Sequence, residues 1–253
     1  MTEPRGTGPT KLGNPIPARR TSPEDRGGSG DHFAAPLGPS RSGRLRFTDG
    51  AHGIAIRADL HLRGLYSARF GDRRPKVGVH RGIVTIRYPR FPAGDWLNDR
   101  SEHPAEVELN ASIPWDVEIR GGASRLLADL RGLRLGSLSV DGGASRLEVV
   151  LPVPSGTVAV VIHGGVSNVA IHRPTGVAAR LRVGGGATNL TFDDRHIGAA
   201  GGELDLESRN YDGAANRYDI AITGGANNVS IDKQRGARGR DPGNVGMRTE
   251  PAQ

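Results

Sequence analysis

The sequence predicts an all-β fold: a single-stranded β-solenoid (β-helix) of about 21-residue coils, flanked by disordered N- and C-terminal tails. Three observations predict it. A paired-glycine phrase recurs at Gly121-Gly122-Ala123-Ser124, Gly142-Gly143-Ala144-Ser145, Gly164-Gly165-Val166-Ser167, Gly185-Gly186-Ala187-Thr188 and Gly224-Gly225-Ala226-Asn227. Its first glycines are 21, 22, 21 and 39 residues apart, the last gap being close to two periods. Apolar columns flank each phrase, and a second corner recurs as Pro154-Ser155-Gly156 and Pro174-Thr175-Gly176.

The columns give the strands. Four residues before the first glycine stand Val117, Leu138, Val160, Leu181 and Ile220, and two before it Ile119, Val140, Ile162, Val183 and Ile222. Five after it come Leu126, Leu147, Val169, Leu190 and Val229, and seven after it Ala128, Val149, Ile171, Phe192 and Ile231. This is period-two alternation on both sides of a corner, the mark of half-buried strands. The glycines supply backbone angles closed to residues with a Cβ, and Pro-x-Gly suits the second bend. Each repeat therefore reads as strand, bend, strand, bend. Eight or nine coils stacked ~4.8 Å apart would make a rod roughly 40 Å long. A β-sandwich of short strands is the competing reading, but it has no need to repeat inward residues at a fixed period.

Residues 1–42 are rich in Gly, Pro, Ser and Arg without apolar periodicity and read as a disordered arm. The solenoid domain spans 43–232, and 233–253 form a second disordered, basic tail. Two degenerate repeats extend the pattern towards the N-terminus. In one, Asp49 replaces the first glycine between Leu45, Phe47 and Ile54, Ile56. The other is Val77 to Tyr88, with its corner at Arg81. Residues 89–104 interrupt the alternation with Pro, Gly and Asp around Trp96 and read as a long loop. Ser208 to Asn216 is a second irregular stretch, after an apparent strand at Leu204 and Leu206.

The paired-glycine repeats, with Leu-Pro-Val-Pro-Ser-Gly-Thr at 151–157 and Arg-Tyr-Asp at 217–219, resemble the bacterial "putative adhesin" domains of unknown function over roughly residues 75–232. The resemblance implies a β-helical fold related to regulators of the cell-wall stress response. It implies no catalytic motif. In layout alone the chain is also similar to bactofilins, cytoplasmic β-helical polymers with disordered tails.

Composition narrows the function. There is no cysteine, which excludes disulfides and thiolate metal sites. No apolar run has the length of a signal peptide or a membrane span, so a cytoplasmic location is expected. The net charge of +7 lies in the tails: residues 1–46 carry +4, 233–253 carry +3, and 47–232 balance 21 basic against 21 acidic residues. That pattern gives no specific nucleic-acid site.

The eight histidines lack metal-ligand spacing; His163 and His172 read as surface residues, and no metal or cofactor is expected. Gly-Ala-Ser is a repeat corner rather than a hydrolase elbow, so no catalytic residue is assigned. Gly184-Gly185-Gly186 lacks the Lys and helix of a phosphate loop. Asp193-Asp194 and Asp232 read as surface turn carboxylates. Two polar columns remain: Ser124, Ser145, Ser167, Thr188 and Asn227, and beside them Arg125, Arg146, Asn168, Asn189 and Asn228. They read as a ladder closing the corner, or as a strip contacting a ligand together with Phe91 and Trp96 of the loop.

The expected function is a non-enzymatic structural or interaction module, self-associating or holding a protein partner. The alternatives are a carbohydrate-binding solenoid with a glycan partner and a regulator of envelope stress. End-to-end assembly would be broken by Val229→Asp, placed by the repeat count in a terminal coil.

Overall fold

The computed structural model describes residues 32–71, 74–88 and 105–234. No helix occurs among them, and the strands form two sheets, one of ten strands and one of nine. Seven coils each contribute one strand to either sheet. In chain order they are β2 (Gly43–Thr48) with β3 (Ala51–Asp59), β6 (Ile83–Arg87) with β7 (Ala105–Asn110), and β8 (Pro114–Arg120) with β9 (Ala123–Asp129). Then come β10 (Arg134–Asp141) with β11 (Ala144–Val150), and β12 (Thr157–His163) with β13 (Val166–Arg173). The last are β14 (Ala178–Val183) with β15 (Ala187–Phe192), and β18 (Arg217–Ile222) with β19 (Ala226–Lys233). The ten-stranded sheet is about 43 Å long at ~4.8 Å per strand. The solenoid expectation holds, with seven coils among the described residues rather than eight or nine.

Parallel pairing keeps equivalent positions in register. Leu138 stands between Val117 and Val160, and Val140 between Ile119 and Ile162. In the other sheet Leu147 stands between Leu126 and Val169. All of these are buried, so each inner column is a continuous apolar stack between the sheets. Burying one such side chain fully is worth ~1.5–3 kcal/mol. The outer faces carry ion pairs instead. Glu118 accepts from Arg46 on the neighbouring strand and from Arg120. Burial raises its pKa, but the two guanidiniums outweigh this and hold the carboxyl below the usual carboxylate range.

The order of coils in space differs from their order in the chain. Along the axis the sequence is β6–β7, β2–β3, β8–β9, β10–β11, β12–β13, β18–β19, β14–β15. The first coil thus sits inside the second, and the last inside the sixth. Both ends are closed by strands that turn back. At one end β5 (Lys76–His80) pairs antiparallel with β6, β4 (Gly64–Arg69) with β7, and β1 (His32–Pro36) with β4. At the other, β16 (Arg195–Ala200) pairs antiparallel with β15 and β17 (Leu204–Glu207) with β14.

Four expectations are corrected by this arrangement. His32–Pro36 lies within the segment read as a disordered arm, yet forms an edge strand on β4; Phe33 stacks edge-on against Phe70 with centroids 5.4 Å apart. Val77 to Tyr88 is a hairpin within one sheet, because Arg81 (φ 48°) and Gly82 (φ 79°) form a two-residue turn of the type that reverses strands. The 39-residue gap holds the closing strands β16 and β17 rather than a coil. Val229 lies in an inserted coil, hydrogen-bonded on both sides, and not at an end.

Candidate functional site: the glycine-corner trough

The corners that connect β8 to β9, β10 to β11 and β12 to β13 stack directly on one another. Gly121 (φ 92°) would place a Cβ 2.7 Å from the backbone nitrogen of Gly50 in the neighbouring coil. Gly143 (φ 84°) would place one 2.8 Å from the carbonyl oxygen of Gly165. Left-handed angles and close approach both demand glycine here. At Gly224 φ is not left-handed, and closeness alone operates: a Cβ would fall 2.6 Å from Gly164. The corner amides are spent along the axis, Gly121 and Gly122 both donating to Asp141 and Gly142 and Gly143 to His163. They form no anion-binding nest.

Small residues at these corners leave an open trough of about 900 Å³ along one edge of the solenoid. It passes five coils, from Asp49 to Gly225, roughly 19 Å at the strand spacing. Glycine backbone and Ala51, Ala123, Ala144 and Val166 line it, with the side chains of Ser124, Ser145 and Ser167. The Ser145 and Ser124 hydroxyls are 3.2 Å apart, and Thr188 donates to Asn227 at 2.9 Å further along the same column.

The neighbouring polar column owes its composition to the backbone. Arg125, Arg146, Asn168, Asn189 and Asn228 all have φ between 50° and 54°, and Gly53 occupies the equivalent place in the first coil with φ 62°. Asparagine and glycine tolerate this conformation best. The three asparagines form an amide ladder: Asn189 donates to Asn228 at 2.8 Å, and Asn228 to Asn168 at 2.5 Å. Asn168, Asn189 and Asn228 are thus occupied with one another. Arg125 and Arg146 sit exposed on adjacent coils beside the serines.

Phe91 and Trp96 lie outside the described residues. The residues flanking their segment do not: Tyr88 lines the trough and Ala105 pairs with Ile54. His52 also lines the trough, in register with Ser124. Alignment on Asp49 places it in the serine column, a signal available in the repeat but not drawn from the five clear copies.

The other residues weighed for chemistry are accounted for by pairing. Asp193 is not a surface turn carboxylate: its buried side chain receives both bonds of the Arg173 Nη2 at 2.5 Å, and Arg173 is fully buried. Asp232 Oδ1 lies 2.6 Å from His172 Nδ1. His163 is exposed, 3.8 Å from Asp141. Among the described residues no group of three histidines or carboxylates is arranged to hold a metal ion, and no helix is long and apolar enough to cross a membrane.

The fold recurs in a solved structure. The chain is similar to a protein whose crystal structure is described as that of a "putative cell adhesion protein" from Clostridium sporogenes, with 17% identity and a TM-score of 0.61 over 81% of this chain and 98% of that one. No curated protein matches the chain significantly. The β-helical adhesin-type architecture that the glycine repeats resemble is the one observed. The family described as the N-terminal domain of toast_rack, DUF2154, matches residues 43–172, just over half of the sequence, and the chain belongs to it.

Proposed function

We propose that this domain is a non-catalytic interaction module whose working face is the glycine-corner trough, and that it holds an extended glycan along its axis. One observation carries the reading: an open trough passes five coils, and the hydroxyls of Ser124, Ser145 and Ser167 line it on three successive ones. A polymer with repeating hydroxyls can bond to such a column at several rungs, so that weak contacts add along its length. The exposed Arg125 and Arg146 beside the serines extend the polar margin. Backbone floor and small side chains suit a shallow ligand laid lengthwise better than a compact one held in a pocket. The ends favour end-to-end stacking less, since each carries antiparallel strands in place of an open coil.

A glycan array tests the proposal. Retention of a polysaccharide class by the wild-type chain, abolished by Ser145→Trp with an unchanged circular dichroism spectrum, is the expected outcome. Absence of retention across the array, or retention indifferent to Ser145→Trp, overturns it.

A further inference from the structure

The margin of the trough carries a charge that the fold does not ask for. The position four residues after the first glycine has φ between 50° and 54° in all five clear coils, and Gly53 stands there at φ 62° in the first coil. Side chains pay to adopt this conformation, and asparagine and glycine pay least. Asn168, Asn189 and Asn228 follow that preference and are bonded into one ladder. Arg125 and Arg146, on the second and third of the five coils along the trough, do not. Both are exposed, so packing does not select them either.

Electrostatics within the chain does not explain Arg146. Among the described residues it makes no hydrogen bond or ion pair. The carboxylates of its own coil turn elsewhere: Asp141 lies 3.8 Å from His163, and Glu148 lies 3.9 Å from His172. In the adjacent coil Asp116, Glu118 and Asp129 accept from Arg44, Arg46 and Arg131. Like charges on neighbouring rungs also repel. Arg146 is thus a cation in a disfavoured backbone conformation, beside a second guanidinium and without a counter-charge. Backbone strain of this kind collects at ligand-binding positions. The surroundings narrow what the counter-charge is. Ser124 and Ser145 stand one residue before the two arginines, with their hydroxyls 3.2 Å apart, so guanidiniums and hydroxyls form parallel columns at one strand spacing per rung. The amides of Gly121, Gly122, Gly142 and Gly143 are already bonded along the axis, which leaves side chains to meet an anion.

We propose that the ligand of the trough is an acidic polysaccharide, one of whose acid groups is received by Arg146 together with Arg125, while the serine column bonds the ring hydroxyls beside it. The trough must hold a glycan, as proposed above, for this contact to exist; what is new is the charge of the sugar. A guanidinium presents paired N–H donors that match a carboxylate, and two of them one rung apart close on a single group from both sides. Single-stranded nucleic acid is also an anionic polymer, but its sites stack bases on successive aromatic rings. Along this trough the described ring-bearing side chains are Tyr88 and His52, both at one end.

The test measures retention of the wild-type chain and of Arg146→Asn on polygalacturonate, on alginate, on the methyl ester of polygalacturonate and on a single-stranded oligothymidylate, at low and high salt. Asparagine holds the same place in three other coils, so the variant keeps the fold and its Tm should rise. The wild-type chain should be retained on at least one of the two polyuronates. Retention should fall several-fold in high salt and in Arg146→Asn, further when Arg125→Asn is added, and several-fold on the methyl ester if polygalacturonate is the one bound. A protein that gains stability while losing retention separates ligand contact from folding. Equal retention on acid and ester, or retention indifferent to Arg146→Asn, overturns the acidic class and leaves the glycan reading standing. Stronger retention on the oligothymidylate overturns both. Absence of retention on either polyuronate overturns the proposal, and the array described above then decides among neutral glycans.

Discussion

The centre of the solenoid and its two ends are built from the same coil, yet they are assembled differently. From β8 to β13 each coil lies on its predecessor, and chain order is spatial order. At each end the outer coil lies beyond its chain neighbour, with another coil between them. The inner apolar columns are alike in both regions. They therefore specify what a coil is and leave open which coil it lies against. Neighbour choice falls to residues that occur once: Tyr218 with its hydroxyl on Pro152, Trp115 against Gly43, and Arg173 reaching past β19 to Asp193.

Substitutions that separate these two kinds of residue test the comparison. The largest effect should come from the ends. Asp193→Ala strands the buried Arg173 guanidinium and should cost ~3–5 kcal/mol in urea unfolding. Replacing both partners with apolar residues of similar volume should recover most of that loss. Gly143→Ala tests the centre: a left-handed Cβ pressed on the Gly165 carbonyl should cost about 2–3 kcal/mol by the same measurement. No loss, or a gain of the kind that Gly→Ala gives in an exposed helix, would show that the corner glycines are not required by backbone approach. Tyr218→Phe removes one buried hydrogen bond and should cost ~1 kcal/mol. The smallest effect has the opposite sign. Arg146→Asn relieves an arginine held at φ 51° and should stabilise by ~0.5–1 kcal/mol, raising Tm by a few degrees.

What was legible in the sequence follows the same division. Val117, Leu138 and Val160 announce inner columns because parallel register repeats one environment once per coil. Pro154-Ser155-Gly156 and Pro174-Thr175-Gly176 announce the opposite corners, where Gly156 and Gly176 do have φ of 76° and 85°. The polar column beside the serines reads as a ladder or a contact strip; its three asparagines hydrogen-bond along the axis. The coil order could not be read, since any coil presents its neighbours with nearly the same apolar face. The Arg81-Gly82 turn was misread because a hairpin and a coil corner share alternating apolar flanks on either side of glycine. Asp193 looked like a turn carboxylate because its partner, Arg173, belongs to another coil, 20 residues away in the sequence. The two polar columns were visible in the sequence. The trough beside them was not, because it depends on how closely the glycine backbones approach.

The placement of β19 has a mechanical consequence. In a solenoid whose last coil is terminal, tension on the tail peels that coil away, breaking one ladder rung by rung. Here the tail leaves from a strand held by β13 on one side and β15 on the other. A pull on it loads both ladders in shear at once, so the protein resists traction on its C-terminus where an ordinary stack of coils would unravel.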